Sequence, residues 1–270
     1  MGEVKHKYWS GASEFINADA KRLLTDMLNY DDNNREEISI KCQEALYLLD
    51  KAIALFISVL QKLYENKSRW ESAANSRAAV AMANSALNYH LLARHTVILG
   101  YPSETEPLFR ACFERMTRCA AFQLDETLAE KFLAGKEIKQ KPIRNVLSKY
   151  FEDKVEGTDK IAQEIMKDTY KKHSEVSHPN LKTLRFRTLN TSNNTEIQTG
   201  IDFSYGSEPS YTVTLLEISH CITHVTFSLM MLEILSKVIL GTWGNVLERK
   251  IQSLFKEDDA LLVKILKMQR

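Results

Sequence analysis

A chain of 270 residues can bury most of its apolar side chains without metals or disulfides as staples. Lys plus Arg (36) nearly balances Asp plus Glu (35), which excludes a chain-wide attraction for nucleic acid or an anionic membrane and confines any polyanion site to a local patch. Nine Gly and five Pro are few breakers for this length, so long helices are expected.

Phe15, Ala18, Leu23, Leu24 and Met27 predict a short amphipathic helix, closed by the polar run Asp31-Asp32-Asn33-Asn34. Ile38, Cys42, Ala45, Leu49, Ala52, Phe56, Val59 and Leu63 then alternate spacings of four and three, the period of a long central helix. A third helix, from Trp70 to Leu99, is dense in Ala, which permits close approach of a neighbour. Gly100-Tyr101-Pro102-Ser103 separates it from a fourth, Glu104 to about Leu124, with Phe109, Phe113, Met116 and Ala120 as its buried stripe. Shorter helices are expected over about 126–138, 142–153 and 158–178.

The period then changes to two. Leu184, Phe186 and Thr188 alternate with Arg185 and Arg187, and Ile197, Thr199, Ile201 and Phe203 follow across a polar turn. This predicts a β-hairpin over about residues 183–204. A last long helix carries Leu215, Ile218, Ile222, Val225, Leu229 and Leu232, and two shorter ones are expected from Trp243. The fold class is therefore mainly α: a multi-helix bundle with one inserted hairpin. It reads as a single domain over 1–270, with a core bundle at about 35–242 and C-terminal helices at 243–270.

Cys42, Cys112, Cys119 and Cys221 form no Cys-x-x-Cys pair and read as buried free thiols of a reducing compartment. Met1-Gly2-Glu3-Val4-Lys5-His6 has no apolar core, which predicts no leader. Glu233 and Lys237 within the most apolar stretch argue against a membrane span, and a cytoplasmic location is expected.

The most unusual segment precedes the hairpin. On a helix to His178, Lys171, Ser174, Glu175 and His178 share one stripe, while His173 falls on the apolar face as a core histidine. A cation, a hydroxyl, a carboxylate and an imidazole at a helix end could bind phosphate and move protons. A solvated face whose His178 caps the helix carbonyls is the structural alternative. Arg110, Glu114 and Arg118, four apart, form either a solvated ion-pair ladder or a face that lends an arginine to the His178 region. Arg185 and Arg187 could meet a phosphate backbone or guard a strand edge. His90 and His95 do not share a face and read as structural.

Leu108-Phe109-Arg110-Ala111-Cys112-Phe113-Glu114-Arg115, together with Tyr170-Lys171-Lys172-His173-Ser174-Glu175-Val176-Ser177-His178-Pro179-Asn180, resembles uncharacterised bacterial proteins related to the HEPN superfamily, over roughly residues 40–240. The resemblance implies a helical bundle that dimerises and binds RNA or a nucleotide. It also implies a metal-independent endoribonuclease of toxin–antitoxin or phage-defence type, with no cofactor. His178 would then be the base or acid, Lys172 or Lys171 would steady the scissile phosphate, and Ser174, Glu175, Ser177, Asn180, Arg110 and Glu114 would support them. Lys172 or Lys171 stands where the family has Arg, and a point charge replaces a bidentate fork.

The competing expectation is a non-catalytic helical module that binds a protein partner. A third is a di-metal bundle, because Glu175-Val176-Ser177-His178 and Glu217-Ile218-Ser219-His220 are both Glu-x-x-His and His224 lies one turn on. No Gly-rich phosphate loop and no Gly-x-Ser-x-Gly elbow occurs.

Overall fold

The computed structural model describes residues 18–100, 105–152, 162–164, 166 and 211–268. Among these the regular elements are all helical: α1 (Ala18–Lys41), α2 (Gln43–Glu65), a single 3-10 turn (Lys67–Arg69), α3 (Ala74–Ile98), α4 (Thr105–Leu124), α5 (Glu126–Leu133), α6 (Gln140–Glu152), α7 (Tyr211–Leu240) and α8 (Trp243–Met268). The mainly α class is thus observed. The expected hairpin at 183–204 lies outside the described residues.

α7 occupies the centre, packing against α2, α3, α4 and α8. It is long and apolar enough to cross a membrane, yet 83% of its most apolar window is buried inside the bundle. Glu233, buried within it, is neutralised by Lys237 Nζ at 2.5 Å, and Glu248 of α8 approaches the same ammonium at 3.8 Å. Burying such a carboxylate is tolerable only with its partner in place.

The most extensive interface joins α3 to α4. Ala78, Ala79, Ala83 and Ala86 are fully buried along α3, and the small side chains let the two backbones close on each other as expected. From α4, Phe109, Phe113, Met116 and Ala120 enter the core, and Phe113 stacks on Phe227 of α7 with ring centroids 5.1 Å apart. α5 packs against α3 and α4, and α6 packs against α4.

Several boundaries differ from the sequence expectation. α1 does not stop at Asp31-Asp32-Asn33-Asn34 but runs through to Lys41. Asp and Asn cost a helix interior only a few tenths of a kcal/mol each, and Arg35 pairs with Asp32 at 3.8 Å. Asn34 is buried and donates from Nδ2 to the carbonyl of Leu99 at 3.1 Å, so the polar run is where α1 meets the end of α3. The chain bends instead at Cys42, where helical hydrogen bonding continues (Cys42 N to Ile38 O, 2.8 Å; Leu46 N to Cys42 O, 2.9 Å). That continuity carries the apolar period unbroken from Ile38 to Leu63.

The C-terminal part is one helix of 26 residues, α8, where two shorter ones are expected. Its polar stretch around Asp258 is held rather than broken. Asp258 is buried and accepts from the hydroxyls of Ser219 (2.8 Å) and Thr223 (3.1 Å) on α7. α5 is shorter than expected: the Asp125 side chain caps its start, accepting from Leu128 N at 3.1 Å, and Gly135 follows its end with φ of 75°.

Candidate functional site

Lys171, Lys172, His173, Ser174, Glu175, Ser177, His178 and Asn180 lie outside the described residues, as do Arg185 and Arg187. Arg110 and Glu114 are described, on the face of α4 that turns from the core. The ladder forms: Arg110 Nε donates to Glu114 Oε1 at 3.1 Å, and Arg118 Nη1 stands 3.6 Å from Glu114 Oε2. Its side chains are 23–34% exposed, so it is a half-covered face rather than a fully solvated one. Half-covered charges are screened less by water, and a guanidinium there keeps more of its attraction for an anion.

One turn before Arg110 the same stripe reaches Glu106, which the sequence reading passed over. The signal for it was a fourfold repeat, Glu106, Arg110, Glu114 and Arg118, each four residues from the next. Glu106 Oε1 stands 3.6 Å from Nδ1 of His220 on α7. His220 Nε2 in turn lies 3.3 Å from Nε2 of His224, one turn on. Glu217, His220 and His224 fall at i, i+3 and i+7, one stripe of α7.

Phe109 holds the two imidazoles in place. Its ring lies parallel to His224, 9° between planes and 4.3 Å between centroids, and meets His220 edge-on at 4.9 Å. His224 is buried, while the His220 side chain is 40% exposed. Glu217 accepts from the hydroxyl of Thr105, the first residue of α4. Burial pushes its carboxyl up to about 7; the Thr105 hydroxyl opposes this and the neighbouring Glu106 carboxylate adds to it. The seam between α4 and α7 therefore holds two carboxylates, two imidazoles and, one turn along, a guanidinium. These are groups that can exchange protons near neutral pH and hold an anion.

Deeper between α3 and α7, His90 Nε2 is hydrogen-bonded to Ser228 Oγ at 2.8 Å, and its Nδ1 lies 3.6 Å from Cys112 Sγ. All three are buried, so no substrate reaches the serine, and His90 is the structural histidine its position predicts. The four cysteines are buried and free, as expected. His95 is exposed near the end of α3.

Among the described residues, no three His, Cys, Asp or Glu side chains are placed to hold one metal ion together. Of the two Glu-x-x-His motifs that would build a di-metal centre, the one at Glu175 lies outside the described residues. No family model, curated protein or solved structure matches the chain.

Proposed function

We propose that this chain is a HEPN-like protein that binds RNA or a nucleotide and acts as a metal-independent endoribonuclease of the toxin or phage-defence kind, working as a cytoplasmic homodimer. The observation that carries the reading is the meeting of the Glu106–Arg110–Glu114 face of α4 with His220 of α7. That meeting puts the Glu106 carboxylate beside the His220 imidazole, with the half-covered Arg110 guanidinium one turn along α4 on Glu114.

In this reading His178 takes or gives the proton of the attacking 2′-hydroxyl, and Lys172 or Lys171 steadies the phosphate. Arg110 adds a fork-shaped donor from α4, which offsets the point charge standing where the family has arginine. Ser174, Glu175, Ser177 and Asn180 orient the reacting groups.

The test is incubation of the purified protein with labelled single-stranded RNA in EDTA, comparing wild type with His178→Ala, Lys172→Ala and Arg110→Ala. Cleavage by wild type that His178→Ala abolishes supports the reading. Absence of wild-type cleavage, or cleavage unchanged in His178→Ala, sinks it. A monomer by light scattering argues against a site shared across a two-fold axis.

A second reading, a non-catalytic helical interaction module, draws on the fact that Glu114 engages both Arg110 and Arg118 within α4. A ladder that completes itself needs no ligand. A protein that neither binds nor cuts RNA supports it.

A further inference from the structure

The α4–α7 seam has a feature that RNA cleavage without a metal does not use. His220-Cys221-Ile222-Thr223-His224 places two imidazoles one turn apart on one helix, and their Nε2 atoms converge to 3.3 Å. The same i, i+4 spacing lets a helix present two histidines to one zinc ion. Two nitrogen ligands each about 2.0–2.1 Å from a tetrahedral zinc are about 3.3–3.4 Å apart, which matches the separation the two nitrogens keep across their present hydrogen bond.

The Glu106 carboxylate bears on which nitrogen of His220 carries the proton. Glu106, 3.6 Å from Nδ1 of His220, favours the proton on that nitrogen and leaves the Nε2 lone pair directed at His224. A carboxylate behind a ligating imidazole fixes its tautomer and raises its basicity. His224 needs only to carry its proton on Nδ1 instead of Nε2, and Phe109 stacked on its ring keeps the plane fixed meanwhile.

We propose that His220 and His224 chelate one divalent transition-metal ion of the zinc class through their Nε2 atoms, with Glu106 orienting His220 from behind. Two imidazole donors suit zinc, nickel or copper rather than magnesium or calcium. The remaining positions would be filled by water, since among the described residues no third ligand is placed with the pair. The site is mononuclear and needs nothing from the Glu175 motif, which separates it from a di-metal bundle. It shares the Glu106–His220 contact with the ribonuclease reading, but the ribonuclease assay runs in EDTA and the zinc titration contains no RNA, so either can fail alone.

The test uses untagged full-length protein stripped with EDTA and dialysed into metal-free buffer, titrated with zinc chloride by calorimetry and with cobalt(II) by visible absorption. The expected result is one zinc per chain. Affinity falls at least tenfold in His220→Gln and in His224→Gln, falls about tenfold in Glu106→Gln, and is unchanged in His95→Gln. Circular dichroism of each variant confirms the helices, and His220→Gln, at a partly exposed ring, keeps the test decisive if His224→Gln does not fold. Less than half an equivalent of zinc at saturation overturns the proposal. So does equal affinity in wild type and His220→Gln, or a cobalt–thiolate charge-transfer band, which would move the metal to cysteine.

Discussion

His90 on α3 and Ser228 on α7 share a hydrogen bond of 2.8 Å at the centre of the bundle, and burial pushes the His90 imidazole down to about 3. The folded state keeps this ring neutral where the unfolded chain, at its ordinary value of 6.5, takes up a proton. Its contribution is therefore complete above pH 6.5 and is lost as pH falls from there toward 3. Urea unfolding across pH 4–7 should show wild-type stability falling by up to about 1.4 kcal/mol per pH unit from this group. His90→Gln should be less stable at pH 7 but lack that part of the slope. Equal slopes in the two proteins would mean that His90 titrates normally in the fold.

Glu217 acts in the opposite sense. Burial raises its carboxyl from the ordinary 4.5 to about 7, so the folded state holds a proton the unfolded chain has released in that window. Stability from this group is complete below 4.5 and declines as pH rises through 7. Glu217→Gln mimics the protonated form and can keep the contact with the Thr105 hydroxyl. It should stabilise the protein by about 1–3 kcal/mol at pH 8 and by almost nothing at pH 4.5. No gain at pH 8 would show that Glu217 ionises without penalty in the fold.

Helix period was the legible part of this sequence. The Ile38–Leu63 spacing, the alanines of α3 and the apolar stripe of α4 each follow from one face meeting a neighbour, and the structure pairs those faces. What the sequence hid were tertiary partners of polar residues. Asn34 sits in a run that looks like a helix end and Asp258 in a polar stretch of α8, yet Leu99, Ser219 and Thr223 satisfy them from other helices. Glu106 was hidden in the same way, because a lone carboxylate in a first turn is ordinary until His220 of α7 is seen beside it. Glu217-x-x-His220 could be read as a motif from spacing alone, but its partner could not.

The cysteines make a simple accessibility test. All four are buried, and desolvation pushes the thiols of Cys112, Cys119 and Cys221 well above their ordinary range. Only thiolate reacts quickly with a disulfide reagent. Native protein should react with less than about one thiol per chain over minutes at pH 8, and protein in guanidinium should react with all four. Fast native labelling of two or more would show that the α3–α4–α7 core opens.

Phe109 couples packing to the imidazole pair. It is fully buried and contacts both His220 and His224. Phe109→Ala should cost about 3–5 kcal/mol by the cavity it leaves. Phe109→Leu should cost less, yet it removes the flat surface that aligns His224. The zinc affinity of the Leu variant should therefore drop while its helices persist. Unchanged affinity would mean that ring stacking does not position the pair.

The contact between α1 and the end of α3 offers a double-mutant cycle. Gly100 has a φ of 85°, and a Cβ there would stand 2.7 Å from Asn34 Nδ2. Gly100→Ala therefore combines the left-handed backbone penalty of about 1–2 kcal/mol with displacement of the side chain that bonds Leu99 O. Asn34→Ala removes that bond and should cost about 1 kcal/mol. The alanine at 34 also clears the space the new Cβ needs, so the double variant should lose less than the sum of the singles, by at least about 0.5 kcal/mol. Additive losses in urea unfolding would mean that the Gly100 penalty is purely conformational and that Asn34 yields without cost.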